Sequence, residues 1–316
     1  MTQIAEEKNA VNLFPPPQII ETEVFTEMPE RFRKQQEFPV WARVNRPGLE
    51  LHSFIEGPSF DRAGNLYIVD VPYGRIFRIS PEGEWNLVTQ YDGEPNGLKI
   101  HKDGRIFICD YKNGLMLLDG KTGKVTPLLE RTQTESFKGL NDLVFASNGD
   151  VYFTDQGHTG MHDSTGHVYR YTAGGKLHCL LDNVPSPNGL VLNPTENVLL
   201  VAATRSNSIW RVPLTPDGGV TKVGIFAYMS GGIGPDGMAA DSVGNIIAAH
   251  VGMGCAWLFS AKGEPLYRIQ SCRGEGVTNM AFGGADNKTL FITESETGAI
   301  LMAKMPTAGR LMYSHL

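Results

Sequence analysis

Six polar residues, Glu56, Asn96, Asn141, Asn188, Asp236 and Asn279, each open a similar phrase in this chain. Every one is a carboxylate or a carboxamide, and none is a hydrocarbon. If equivalent positions converge on one point, the donor set is two anionic and four neutral side chains, which suits a hard divalent cation such as Ca²⁺ or Mg²⁺. The absence of His and Cys from the set argues against a dedicated zinc or copper site. A single Asn-Gly pair is ordinarily a turn, where Asn caps the backbone or Gly accepts positive φ. Six matched positions in one register are harder to obtain that way, and they favour a cation site over a run of turns or a water-filled channel.

The elements that would gather these residues are legible in the phrases themselves. They read EGPSFDRAGNLYIVD, NGLKIHKDGRIFICD, NDLVFASNGDVYFTD, NGLVLNPTENVLLVAAT, DGMAADSVGNIIAAH and NMAFGGADNKTLFITE, with starts 40, 45, 47, 48 and 43 residues apart. Each carries an apolar pair, a turn such as Asp103-Gly104 or Asn148-Gly149, and a second apolar run. That is the pattern of an inner hairpin in a propeller blade. Six copies predict an all-β chain folded as a six-bladed β-propeller, with the opening residues ringed about the axis at a central metal site. Copies one, two, three and five run 14 residues to Asp70, Asp110, Asp155 and His250, and copies four and six carry turn insertions. The three aspartates are expected at the far end of their hairpins from the ring, fixing the next turn. Asp155 with the following QGHTGMHD loop is a weaker candidate for a second metal site.

Residues 1–50 do not fit the repeat, and NLFPPPQII is too proline-rich for a central strand. The expected organisation is an N-terminal arm or lid over 1–50, with a short turn near Glu27 to Gln36, and the propeller over 51–316. A propeller must join its ends to remove open edges, so the arm is expected to add an outer strand beside ILMAKMPTAG.

Composition narrows the function classes. The 316 residues are 41% hydrophobic and 20% charged, with a formal net charge of -6, and no segment is apolar for long enough to span a bilayer. The 28 Lys and Arg residues are scattered, which excludes a phosphate-backbone footprint and makes nucleic acid an unsuitable partner. Cys109, Cys179, Cys255 and Cys272 are far apart with no C-x-x-C pair, so they are expected to be reduced, buried thiols. The start, MTQIAEEKNAV, lacks the features of a secretory signal, and a cytoplasmic location is expected.

Several motifs, taken in order, resemble a known family. EGP at 56–58, LND at 140–142, PNGL at 187–190, PDGM at 235–238 and the later TNMAFGG and ITESETG stretches are similar to the senescence-marker-protein and gluconolactonase family. That family shares its fold with the diisopropyl-fluorophosphatase and strictosidine-synthase-like propellers, and the resemblance covers about residues 50–305. It implies a metal-dependent lactonase whose ligands are Glu56, Asn141, Asn188 and Asp236. One divalent cation is implied, Ca²⁺ foremost, with Mg²⁺, Mn²⁺ or Zn²⁺ as alternatives. Asn96 and Asn279 would then face the pocket as substrate contacts.

The chemistry that follows is hydrolysis of a sugar lactone or other small lactone, the cation polarising the carbonyl and no covalent nucleophile being needed. No G-x-S-x-G elbow and no Ser or Cys paired with His recommends a nucleophilic route. The resemblance implies Asp236 as the base acting on water. Asp142 is the second candidate, against the plainer reading of a carboxylate satisfied by local amides. Met238, Trp41, Phe54 and Tyr73 are candidate pocket walls, although such residues are more often core. His158, His162 and His250 are candidate proton shuttles, with a structural role the more ordinary one. The long arm leaves room for a bulkier, more apolar lactone. Two other functions stay open: a phosphotriesterase using the same cation, and a non-catalytic binding propeller, which would place apolar or variable residues at the ring.

Overall fold

The computed structural model describes residues 15–35 and 39–316. NLFPPPQII is therefore described only from Pro15, and Gln36, the last residue of the predicted turn, lies outside the described residues. Glu30–Phe32, within that predicted turn, forms one turn of 3₁₀-helix.

Six sheets follow, their inner strands in chain order. Their innermost strands are Ile55–Phe60, Pro95–Ile100, Leu140–Phe145, Pro187–Leu192, Gly234–Ala240 and Val277–Gly283. Three further strands step outward in each, so every sheet is one blade of a six-bladed β-propeller. Neighbouring inner strands pack side by side, and blade six closes on blade one. The blades are held by six apolar clusters, each built across one blade-blade interface. Val69, Ile76, Leu98 and Ile108 join blades one and two, for example, and Tyr152, Val168, Leu190 and Val201 join blades three and four. Side chains that alternate along a strand can serve two interfaces only if both faces of every sheet are covered, which a ring of blades provides.

The ends of the chain are tied into this ring. Glu23–Glu27 pairs antiparallel with Ala299–Lys304 and becomes the outer strand of blade six, where the sequence placed a closing strand. Gln18–Glu21 pairs parallel with Pro265–Gln270 and adds a fifth strand to blade five. The arm therefore straddles two blades. At the other extremity, Ser314 Oγ donates to Phe60 O at 3.0 Å and Tyr313 stacks on Phe145 at 4.9 Å. Residues 310–316 lie over the turn end of the channel. No helix among the described residues is long and apolar enough to cross a membrane. All four cysteines are free; Cys109 and Cys255 are buried as expected, whereas Cys179 and Cys272 are exposed, on an outer strand and the loop after another.

Two sequence expectations about register are corrected. Ile55 pairs with Asp70, Pro95 with Asp110 and Leu140 with Asp155. These aspartates thus stand beside the ring residues, because the second strand of a hairpin returns to where the first began. Their role is structural: Asp70 accepts from Phe54 N–H at 2.7 Å and Asp155 from Gly139 N–H at 2.8 Å, pinning the chain as it enters each inner strand. In blade six Val277 pairs with Glu294. By the same geometry Thr278, not Asn279, occupies the ring position there, and Asn279 is equivalent to Asp142. The hydrogen bonds agree, since Asp142 N–H donates to Thr154 Oγ1 at 3.1 Å and Asn279 N–H to Thr293 Oγ1 at 3.0 Å.

Candidate metal and catalytic site

At its entry end each inner strand is irregular. The pairing slips between Glu56 and Ser59, Pro95 and Gly97, Leu140 and Leu143, Pro187 and Leu190, Pro235 and Met238, and Val277 and Asn279. A bulge re-aims a side chain out of strict alternation. Here it falls at the ring residue of every blade.

The residue after the ring position is Gly in four blades, and positive φ is not the general reason. Gly57 has φ +59°, but Gly97, Gly189 and Gly237 are not in the left-handed region. What they share is close approach to the next blade. A Cβ on Gly97 would lie 2.6 Å from Asn141 O, and one on Gly189 would meet Asp236 O. The Asn-Gly and Asp-Gly pairs are thus packing devices that bring successive ring residues together, not turns.

Glu56, Asn96, Asn141, Asn188 and Asp236 line one cavity of about 110 Å³. Both carboxylates are buried. Burial holds the Glu56 carboxyl well above the usual carboxylate range, and the charges of Asp236 and Asp142 push it the same way. Asp236 is pushed up to about 7, first by burial and against the pull of Arg46. Two acids withdrawn from water and close enough to repel are the condition that a bound divalent cation relieves. Asn141 Nδ2 donates to Gln156 Oε1 at 2.9 Å, which leaves Oδ1 free to serve as a hard donor, and Asn188 hydrogen-bonds Asp236. The donor set therefore fits a hard divalent cation, and Glu56, Asn141, Asn188 and Asp236 are residues that could hold it.

Beneath this layer sit the two residues that replace Gly in the repeat. Asp142 and Asn279 come from opposite blades, and Asn279 Nδ2 donates to Asp142 Oδ2 at 3.3 Å across the channel. Asp142 also accepts from Leu143 N–H at 2.8 Å and faces Lys99 Nζ at 3.7 Å. Neither residue lines the cavity. Asp142 is thus hydrogen-bonded outside the cavity lining, and Asn279, whose side chain also hydrogen-bonds Glu56, lies outside it too. Met238 is placed elsewhere too, lining the separate cavity at the turn end with Met280 and Phe145.

Trp41 and Phe54 do line the site cavity, their rings 4.9 Å apart. Tyr73 instead donates to Leu51 O and borders a different surface depression. His250 accepts from Trp257 Nε1 at 3.1 Å and donates from Nε2 to Gly231 O at 2.9 Å. Both ring nitrogens are engaged, burial lowers its pKa, and it occupies in blade five the strand-end place of Asp70. His158 packs edge-on to Tyr111, and neither it nor His162 lines the cavity. Among the described residues no three His, Cys, Asp or Glu side chains cluster as a metal site, so the Asp155 loop gains no support as a second one.

Sequence reasoning missed Gln156, Asn45, Arg46 and Arg205, all on the cavity wall. Gln156 directly follows Asp155 and could have been found from the hairpin's return to the ring. Asn45 and Arg46 belong to the helix Val40–Asn45 and its end, within the unrepeated arm, where no periodicity marks them.

A family model described as the SMP-30/gluconolactonase/LRE-like region matches residues 54–296. The chain is 34% identical over 244 residues to lactonase drp35 of Staphylococcus aureus strain MRSA252, covering 72% of each chain. It is 32% identical over 243 residues to lactonase drp35 of Staphylococcus epidermidis, again with 72% of each covered. Among solved structures, a calcium-binding regucalcin from Agrobacterium tumefaciens superposes with a TM-score of 0.76 at 21% identity, covering 95% of this chain and 100% of that one. A gluconolactonase from Xanthomonas campestris gives 0.71 at 24% identity, over 80% and 86%. At these identities the structural likeness speaks to the fold.

Proposed function

The chain belongs to the SMP-30/gluconolactonase/LRE-like family, and from that premise we propose that it is a divalent-cation-dependent lactonase, Ca²⁺ being the cation its donors suit best. The observation that carries this reading is the set of five ring residues, matched in strand register, on the wall of one cavity. The curated relatives named as lactonases support the reaction class, and the regucalcin likeness agrees with the metal.

When bound, the cation supplies the positive charge that polarises a lactone carbonyl and favours ionised water. The remaining steps fall to the chain's own residues. Asp236 accepts the proton of the attacking water, a task open to a carboxylate that stands buried on the wall of the same cavity. The water oxygen bonds to the carbonyl carbon, the ring C–O bond breaks, and a proton passes to the departing alkoxide, giving a hydroxy acid. Asn96 lines the same wall and offers a hydrogen bond to substrate, while Gln156 keeps Asn141 oriented. Trp41 and Phe54 keep one side of the cavity apolar and exclude water.

The cavity of about 110 Å³ is small beside the roughly 300 Å³ lower end of sites for drug-sized ligands, which favours a compact single-ring lactone over the bulkier one that the long arm had left open. Free thiols at all four cysteines agree with a reducing, cytoplasmic setting. The direct test is metal analysis with hydrolysis assays on a lactone panel before and after chelation. Activity should vanish with the metal and return with Ca²⁺, and full turnover by demonstrably metal-free protein overturns the reading.

A further inference from the structure

The cavity wall carries two positive charges that the reaction just described does not use. Arg46 ends the arm's helix, and Arg205 lies in the turn Thr204–Ser206 that follows the second strand of blade four. Both line the cavity together with Glu56 and Asp236.

What sets them apart is that both face the cavity while neither is ion-paired among the described residues. Arg75 is ion-paired with Asp70, Arg170 with Asp150 and Arg310 with Glu196. Among the described residues Arg46 has no such pair; its guanidinium lies over the Phe54 ring, 4.9 Å from the centroid. Burial lowers its pKa, and Asp236, Glu296 and Glu56 act on it only through space. Arg205 is exposed at the rim and likewise makes no ion pair among the described residues. A partly buried guanidinium without an anion is costly, and a ligand anion is the partner that would relieve it.

Charge balance points the same way. Glu56 and Asp236 supply two negative charges, which one divalent cation matches. Among the lining residues Arg46 and Arg205 then leave an excess of positive charge, which Glu296, outside the lining, offsets only in part. Opening a neutral lactone creates one carboxylate, which answers only part of that excess and only after the chemistry is over.

We propose that the substrate is a lactone that already carries a carboxylate, and that Arg46 and Arg205 hold this group while the carbonyl faces the Glu56 and Asp236 side of the cavity. The proposal rests on the lactonase reading. It adds the substrate class and two specificity-determining residues, one of them supplied by the arm.

The test uses matched γ-lactones, γ-butyrolactone-γ-carboxylate and its γ-hydroxymethyl twin, on calcium-loaded full-length protein. Wild type should favour the carboxylate by about tenfold or more in kcat/KM, the worth of a charge-assisted contact, and added salt should shrink the preference. In Arg46→Met/Arg205→Met the ratio should fall to about one, with part of it kept in Arg46→Lys. Arg205→Met alone, at an exposed position, guards against a folding artefact and should lose part of the ratio. A second readout is calorimetric binding of 2-hydroxyglutarate, the product of the acidic lactone, expected to weaken by about tenfold in the double variant. A wild-type ratio at or below one, or a ratio unchanged in the double variant, overturns the proposal. If neither lactone is opened, the lactonase reading fails, and calorimetry still decides the arginine pair. Binding lost on mutation supports an anion site, and no binding by wild type overturns it.

Discussion

Glu56 and Asp236 are the residues on which the site turns, and their side chains work against the fold when nothing positive lies between them. Each carboxyl is raised by burial and by neighbouring negative charge, so each destabilises the folded chain while ionised. Asp236→Asn removes one charge and keeps the shape. Turnover on a lactone should fall by about 10²–10⁴-fold, the usual worth of a general base, while the melting temperature of chelated protein should hold or rise. A drop in that melting temperature would show that Asp236 is a structural anchor rather than a strained functional group. Asp142 was the other acid legible in the sequence as a base. Its contacts with Leu143 N–H, Asn279 and Lys99 instead lie outside the cavity lining. The bulge sets adjacent residues at different depths along the channel, and our proposal of Asp236 as the base rests on that depth.

At the scale of the element, the inner hairpin does two jobs: its bulge aims the ring residue, and the Gly that follows lets the next blade close in. Gly189→Ala should therefore cost about 1–3 kcal/mol as an overpacking change against Asp236 O, and should also weaken calcium binding, because the displaced backbone carries a ligand. Gly104→Ala is the informative contrast. Gly104 has φ +90° with open space around it, so Ala there should cost about 1 kcal/mol of strain and leave calcium affinity alone. Denaturant melts and calcium calorimetry on the two variants separate these effects, and equal losses of affinity would refute the packing role. The hairpins were readable because apolar pairs and turn dipeptides repeat in the sequence. Blade six was read one residue out of register because its turn holds extra residues around Gly284 and Asn287, and sequence spacing alone cannot say which side of an insertion keeps the alignment. Strand pairing can.

For the molecule as a whole, closure depends on the arm. Glu23–Glu27 covers the edge of Ala299–Lys304, and Met28, Phe25 and Phe32 pack into the cluster that joins blades six and one. A chain beginning at Met28 should melt roughly 5–10 °C lower, as the loss of a few kcal/mol does to a chain of this size, and should self-associate through the bared edge. Size-exclusion chromatography and thermal melts decide this, and an unchanged elution volume and melting temperature would assign closure to blade packing alone. By itself the sequence determined the blade count, the all-β class and five of the six ring positions, since these follow from a local pattern repeated at a constant period. Only the tertiary structure decided the depth of Asp142 and Asn279, the displacement of Met238 to the other cavity, and the arrival of Arg46 and Gln156 at the site. Each of these depends on bulges, strand pairing and an unrepeated arm folding over the ring, and contacts between distant segments leave no period in the sequence.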